Sequence, residues 1–322
     1  MINIPLICNI IGARPHFIKY FPIQNALERK DLLIHTGQHY DYEMSKLFFE
    51  EFDLKTPDYH LNAGNCVDTI FEETRSILKK EKPEIVVVYG DTNSTLGGTL
   101  AAHSLNIPVA HVEAGVRSFS TIIEEYNRVQ VDRLSTWRFC PSEKALVNLR
   151  AEKLDGVFTG DVMKDVILKT RRRKKPKPFN LLTIHRAENT TPEKFEELMD
   201  FVKRFPYTTY FPIHPRTKKL FKPIENIVPL KPLSYVELIS YIECANIVLT
   251  DSGGIQKEAY WLRTPCITLR DETEWTETVG SGWNILWKDS GQGFSLREHP
   301  DFYGDGEAAK KITEILNAKS VT

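Results

Sequence analysis

The chain has 322 residues, 41% of them hydrophobic and 26% charged, with a formal net charge of −1. That length exceeds one typical core and suits two, while the near-neutral balance provides no general field for a nucleic-acid partner. No apolar run approaches the roughly 18 residues that cross a bilayer, and Met1-Ile2-Asn3-Ile4 runs into a strand without a signal-peptide pattern, so a cytoplasmic protein with no membrane partner is expected.

Apolar runs of strand length recur between amphipathic segments. Residues 6–11, 32–35, 85–89 and 109–112 read as buried strands, and residues 17–27 and 96–104 as helices between them. This is βα alternation around a parallel sheet. The run Arg171-Arg172-Arg173-Lys174-Lys175, followed by Pro176 and Pro178, reads as a solvated interdomain linker. The pattern then restarts with strands at 181–184, 210–213, 247–250 and 266–269 and helices at 193–204, 235–244 and 255–262. The expected architecture is α/β, with two doubly wound domains, 1–168 and 169–322, and a cleft between them. A last helix at 307–316 can pack back on the first domain.

In open α/β sheets ligands bind beyond the carboxyl edge, which directs attention to residues following strands. The run Leu249-Thr250-Asp251-Ser252-Gly253-Gly254-Ile255-Gln256-Lys257-Glu258 reads as strand, turn and helix start. Asp251 or Ser252 can cap the helix, and the two glycines leave its first amides uncovered by side chains, a setting that attracts phosphate. A helix rising about 1.5 Å per residue places Glu258 roughly 6 Å from Gly254, suited to ribose hydroxyls on a diphosphate-bound nucleotide. The motif alone is also compatible with an ordinary capped helix.

Asp91 follows one strand and Glu113 the next; successive strands are usually neighbours, so the two acids share an edge. Glu124 and Glu125 stand at a helix start soon after. His185 and His214 follow two strands of the second domain and face the nucleotide motif. Arg14 and Lys19 lie on the helix after the first strand, behind Gly12-Ala13, and suit a phosphorylated ligand. That turn is not G-x-G-x-x-G, so a nicotinamide dehydrogenase loses its main support. His35 and His39 lack the further ligands that would complete a metal site, and none is expected. The five cysteines are scattered without C-x-x-C spacing and read as reduced core residues.

The elements Gly12-Ala13-Arg14-Pro15 with Lys19, Thr36-Gly37-Gln38-His39, Gly90-Asp91-Thr92, His111-Val112-Glu113-Ala114-Gly115-Val116-Arg117-Ser118, Glu124-Glu125 with Asn127-Arg128, Thr159-Gly160-Asp161, His185-Arg186 with Glu188-Asn189, His214-Pro215, Asp251-Ser252-Gly253-Gly254-Ile255-Gln256 and Leu269-Arg270-Asp271-Glu272-Thr273-Glu274 occur in one order across nearly the whole chain. In this series the chain resembles the UDP-N-acetylglucosamine 2-epimerase family. The resemblance implies a GT-B-type fold with the UDP-sugar in the cleft, usually a homodimer, and epimerisation through elimination of UDP to a glycal and its re-addition, with no cofactor and no metal. By motif, Asp91, Glu113 and Glu124 match the catalytic acids and His185 the catalytic histidine. Arg14, His214, Ser252, Gly253, Gly254 and Glu258 match the nucleotide contacts, and Lys19 the basic residue beside the sugar phosphate. Which acid serves which face of C2 stays open.

Departures from the family pattern carry expectations too. Ile123 stands where a Pro commonly precedes the paired acids, after a shorter turn, and alignment to Asn127-Arg128 favours Glu124 over Glu125. Members regulated by a second UDP-GlcNAc carry His-Arg-Arg-Glu-Asn, whereas this chain has Ala187 in place of the second Arg, and Asn65-Cys66-Val67-Asp68 lacks a basic and amide pair. Weak or absent allosteric activation is expected. The segment from Thr273 to Val279 with Gly282-Trp283-Asn284 resembles the branch that includes archaeal enzymes and those acting on 2,3-diacetamido uronic acid nucleotides. The alternatives are that substrate, a hydrolysing relative that releases N-acetylmannosamine, and a GT-B glycosyltransferase or idle nucleotide-binding protein.

Overall fold

The computed structural model describes residues 6–27, 31–38, 49–171, 177–296 and 298–318. His39, and Arg172 to Lys175 of the basic run, lie outside the described residues. The chain divides into two compact units, Met1–Val166 with Asp301–Thr322, and Ile167–Pro300. Residues beyond 300 therefore belong with the first unit, and not with a second domain running from 169 to 322.

Unit 1 contains β1 (Ile7–Ile11), α1 (Arg14–Ala26), β2 (Leu32–His35), β3 (Tyr59–His60), α2 (Val67–Glu81), β4 (Ile85–Tyr89), α3 (Asn93–Ser104), β5 (Val109–Val112), α4 (Ile123–Leu134), β6 (Trp137–Cys140), α5 (Glu143–Ala151) and β7 (Val157–Phe158). The next helix, α6 (Val162–Thr170), runs across the boundary. All seven strands are parallel, in the order β3-β2-β1-β4-β5-β6-β7. The central strand β4, Ile-Val-Val-Val-Tyr, is buried at every position. Helices on both faces of a parallel sheet leave no wet side, which is why its sequence is continuous in apolar residues and does not alternate. Cys8, Ile10, Ile34, Val86, Val88 and Val109 centre the core on one face, against Ile70 and Leu78 of α2.

Unit 2 contains β8 (Phe179–Thr183), α7 (Pro192–Val202), β9 (Thr208–Pro212), α8 (Pro215–Lys218), β10 (Ile227–Leu230), α9 (Tyr235–Cys244), β11 (Ile247–Thr250), α10 (Gly253–Trp261), β12 (Cys266–Thr268), α11 (Thr276–Gly280) and β13 (Asn284–Leu286). Its parallel order is β10-β9-β8-β11-β12-β13. Leu182, Phe195, Leu198, Phe211, Leu249 and Ile267 fill its core. Helix α9 starts with a capping box, Ser234 and Glu237 each satisfying the other's amide.

The last helix, α12 (Ala308–Ala318), packs against α1. Asp165 accepts from its first amides, Ala308 N at 3.2 Å and Ala309 N at 2.8 Å. In each sheet the strand order reverses once, between β1 and β4 and between β8 and β11, and these reversals open the crevices where ligands settle in such folds. Among the described residues no helix is long and apolar enough to cross a membrane. Cys8, Cys140, Cys244 and Cys266 are buried, whereas Cys66, expected in the core, is exposed just before α2.

Candidate active site

At the carboxyl edge of unit 1, β4 and β5 pair so that Tyr89 stands beside Val112, which brings Asp91 and Glu113 to one rim. Glu113 has φ +74°, a left-handed backbone that a side chain tolerates at a cost of about 1–3 kcal/mol and that clusters at functional sites. Its amide and that of Ala114 both donate to Phe139 O, at 3.2 and 3.0 Å, which holds the turn. Lys19 reaches Glu113 Oε1 at 2.7 Å. The ammonium lies 2.9 Å from where a Cβ at Gly90 would stand, so a side chain there would displace it, and φ +62° at Gly90 adds to that demand. Lys19, expected beside the sugar phosphate, is thus only 4% exposed and committed to Glu113. Arg14, the first residue of α1, lies half-buried at the β1 end of the reversal.

Helix α4 stakes both loops down. Arg128 bridges Asp91 Oδ2 at 2.5 Å and Glu125 Oε2 at 3.1 Å, and Asn127 Nδ2 donates to Asp91 O at 2.9 Å. Glu125 accepts from the Ser118 amide and hydroxyl, both at 2.9 Å, and from the Phe119 amide. Burial would raise the Glu125 carboxyl, but the bonds from Ser118 and the Arg128 charge outweigh it and hold it below the usual range. Glu124 is half-buried in the first turn of α4, and among the described residues it makes no hydrogen bond or ion pair. The geometry distinguishes the two acids: Glu125 builds the loop, and Glu124 takes no part in it.

Beneath the rim lies a fully buried polar pair, His111 and Asp132. His111 Nδ1 is 2.7 Å from Asp132 Oδ1 and Nε2 is 2.7 Å from Gly90 O. Both partners are acceptors, so both ring nitrogens are placed to donate. Asp132 also takes the Gly115 amide at 3.1 Å and Arg117 at 2.8 Å. Burial opposes its charge, but His111 and Arg117 prevail and its carboxyl is lowered. These groups tie the carbonyl before Asp91 to the turn after Glu113. Sequence reading quoted His111, Asn127 and Arg128 within motifs and gave them no role, and it passed over Asp132. A readable signal was present: Glu125, Arg128 and Asp132 fall at i, i+3 and i+7 on the buried side of α4, while Ile123 and Tyr126 are exposed.

Unit 2 presents a different rim. Ser252 caps α10 by accepting from Ile255 N at 3.4 Å, and Gly253 and Gly254 supply the other first-turn amides. A Cβ on Gly253 would stand 2.6 Å from Glu274 Oε1, so this position has no room for a side chain. Glu258 is 2% exposed on the same helix. His185 and His214 follow the adjacent strands β8 and β9, with ring centroids 6.0 Å apart, and Arg216 donates to His185 O at 3.1 Å. Asp251, left open as one of two capping residues, does not cap α10. It is fully buried and accepts from the amides of His185 and Arg186, from Asn189 and from His185 Nδ1. Burial would raise its carboxyl, but the bonds and charge of His185 and the adjacent amides lower it. Trp275 is buried, with Lys257 Nζ 3.8 Å from its ring centroid.

His35 stacks on His60 at 4.6 Å and its Nδ1 accepts from Gly37 N at 3.0 Å, a packing role within β2 and its turn. Among the described residues no group of three or more His, Cys, Asp or Glu is placed to hold a metal ion.

The family model for UDP-N-acetylglucosamine 2-epimerase matches residues 23–317. The chain is 42% identical to a UDP-N-acetylglucosamine 2-epimerase homolog of Methanococcus maripaludis, over 96% of this chain and 99% of that one. It is 37% identical to the UDP-2,3-diacetamido-2,3-dideoxy-D-glucuronate 2-epimerase of Pseudomonas aeruginosa, with the same coverage. Its fold superposes with a TM-score of 0.89 on the crystal structure of the Methanocaldococcus jannaschii UDP-GlcNAc 2-epimerase in complex with UDP-GlcNAc and UDP, at 36% identity over 97% of this chain and 99% of that one. Two parallel doubly wound sheets, a carboxylate rim on one and a glycine-led helix start on the other, together with these likenesses, place the chain in the UDP-N-acetylglucosamine 2-epimerase family.

Proposed function

We propose that the chain is a non-hydrolysing UDP-N-acetylglucosamine 2-epimerase, an isomerase that interconverts UDP-GlcNAc and UDP-ManNAc. The observation that carries this reading is the carboxylate rim of unit 1, because binding a nucleotide requires none of Asp91, Glu113 and Glu124. The hydrogen on C2 of the sugar is a poor acid, since no carbonyl activates it. Breaking the C1–O bond, with its electrons leaving on the diphosphate, builds positive charge that makes its removal feasible. A carboxylate takes that proton, C1=C2 forms, and the result is a glycal and UDP. In the return step a diphosphate oxygen attacks C1 and C2 accepts a proton on its other face. Carboxylates stabilise the cationic character and act as base and acid.

Asp91, Glu113 and Glu124 are the proposed acids, with Lys19 a counter-charge to Glu113 and Arg128 to Asp91. Arg14, His214, Ser252, Gly253, Gly254 and Glu258 are the proposed nucleotide contacts, and His185 the catalytic histidine. A homodimer and a cytoplasmic location are part of the same reading, supported by the family resemblance; light scattering tests the first.

Proton NMR of UDP-GlcNAc incubated with the protein in deuterium oxide tests the activity. Deuterium at C2 with UDP-ManNAc accumulating is the expected result, and free ManNAc with UDP would indicate the hydrolysing reaction instead. The 37% identity to the Pseudomonas enzyme favours a second reading, the diacetamido uronic acid nucleotide as substrate. Turnover of that nucleotide alone would establish it.

A further inference from the structure

At the strand reversal of unit 2, β8 and β11 run side by side, with Thr183 opposite Thr250. Two residues beyond Thr183 stands His185, and one residue beyond Thr250 stands Asp251. The two carboxylate oxygens of Asp251 have unequal surroundings. Oδ2 accepts from His185 N at 3.0 Å, Arg186 N at 2.9 Å and Asn189 Nδ2 at 3.1 Å. Oδ1 accepts from His185 Nδ1 at 2.8 Å and shares the His185 amide at 3.1 Å. The His185 side chain is 42% exposed, so with Nδ1 bonded to a buried carboxylate the nitrogen offered to a ligand is Nε2.

We infer that Asp251 is a positioning residue that holds His185 in its Nδ1–H form with Nε2 directed to the diphosphate of the substrate. The inference rests on the epimerase reading for the identity of that ligand. Its chemical content is specific. A ring whose Nδ1–H is fixed by a carboxylate can take a proton at Nε2 and return it, because the imidazolium so formed is compensated by Asp251. Nε2 first takes a proton from solvent as the diphosphate binds, and the imidazolium so formed faces Asp251; as the C1–O bond breaks and its electrons move onto the diphosphate, Nε2–H donates to the oxygen that gains charge, and on re-addition the proton remains on Nε2 until the product leaves. The proton lost from C2 goes separately to a carboxylate of unit 1.

The unequal surroundings dictate what Asp251→Asn does. Three donors converge on the Oδ2 position, so the remaining oxygen stays there and the new NH2 group takes the Oδ1 position, facing His185 Nδ1. That nitrogen must then accept, and the ring is forced into its Nε2–H form. In this form it cannot release the Nε2 proton without becoming an imidazolate.

The test is long-range proton–nitrogen NMR above the histidine titration range, with His185 assigned by comparison with His185→Gln. The expected wild-type signature is protonated Nδ1 with a bare Nε2, inverted in Asp251→Asn. A wild-type Nε2–H signature overturns the inference whether or not the protein epimerises, and needs only the exposed His185→Gln variant, for assignment, and not Asp251→Asn. The same pattern of nitrogen shifts without epimerase turnover leaves the inference standing and removes the epimerase reading. In kinetics, Asp251→Asn is expected to lower kcat by about 10²–10⁴-fold with a smaller change in KM. The same substitution in a His185→Gln background is expected to cost less than about tenfold more. Equal losses in both backgrounds would mean that Asp251 serves the loop and not the ring, and would overturn the assignment.

Discussion

The two rims solve different problems with different materials. Unit 1 builds its edge from side-chain charge: Lys19 on Glu113, Arg128 between Asp91 and Glu125, His111 and Arg117 on Asp132. Unit 2 builds its edge mainly from backbone amides, with Ser252, Gly253 and Gly254 at a helix start and a carboxylate bonded to two more amides in the neighbouring turn. A diphosphate carries its charge throughout, so fixed dipoles suit it. Charge on a sugar carbon is transient, and acids that meet it must be held apart and compensated by named cations.

If that contrast holds, damage to each rim has its own signature. Glu113→Gln and Glu124→Gln are each expected to lower kcat by about 10²–10⁴-fold with UDP affinity retained, as calorimetry with UDP checks. Arg128→Met removes a cation from between two carboxylates. Breaking a buried pair in this way costs about 3–5 kcal/mol, read as a lower midpoint in urea, alongside lost turnover. Gly253→Ala acts on the other rim: its methyl would meet Glu274, which is buried and paired to Arg270, so the helix start must shift, and UDP binding is expected to weaken by about 10–100-fold together with a modestly lower midpoint in urea.

A smaller effect concerns acid. Glu125, Asp132 and Asp251 all have carboxyls lowered on folding. Each contributes stability that is fully present above its unfolded value, about 3.9 for Asp and 4.3 for Glu, and is lost as pH falls through the folded value. Thermal unfolding followed from about pH 6 to 3 should steepen below 4, and Asp132→Asn should flatten that limb. The smallest expected effect is none: adding UDP-GlcNAc to a UDP-ManNAc assay should leave the reverse rate unchanged, since Ala187 offers no charge to an effector. A strong dependence on that addition would sink the expectation.

The same contrast explains what could be read from the chain alone. Strands such as β4 and β11 are rich in β-branched residues, and the Ser-Gly-Gly helix start is local, so both are visible within ten residues. Glu124 is favoured over Glu125 in the sequence only by alignment to Asn127-Arg128; the physical difference between the two, the bonds of Glu125 to Ser118 and Arg128, exists only after folding. Lys19 and Glu113 stand 94 positions apart, and no spacing rule connects them. The short strands β3, β7 and β13 escaped notice because two or three residues carry no period. Asp251 was read as a possible cap because Asp before a helix usually is one. Its actual partners lie on the turn after a different strand.

The return of the chain from unit 2 to complete unit 1 bears on how the molecule is made. Asp165 waits for the amides of Ala308 and Ala309, and Lys164 for Asp301 and Gly304 O. During translation at about 5–20 residues per second, the stretch 167–300 leaves the ribosome ahead of the last helix. The nascent second unit can close on its own schedule, whereas α1 lacks its cover until α12 has left the ribosome.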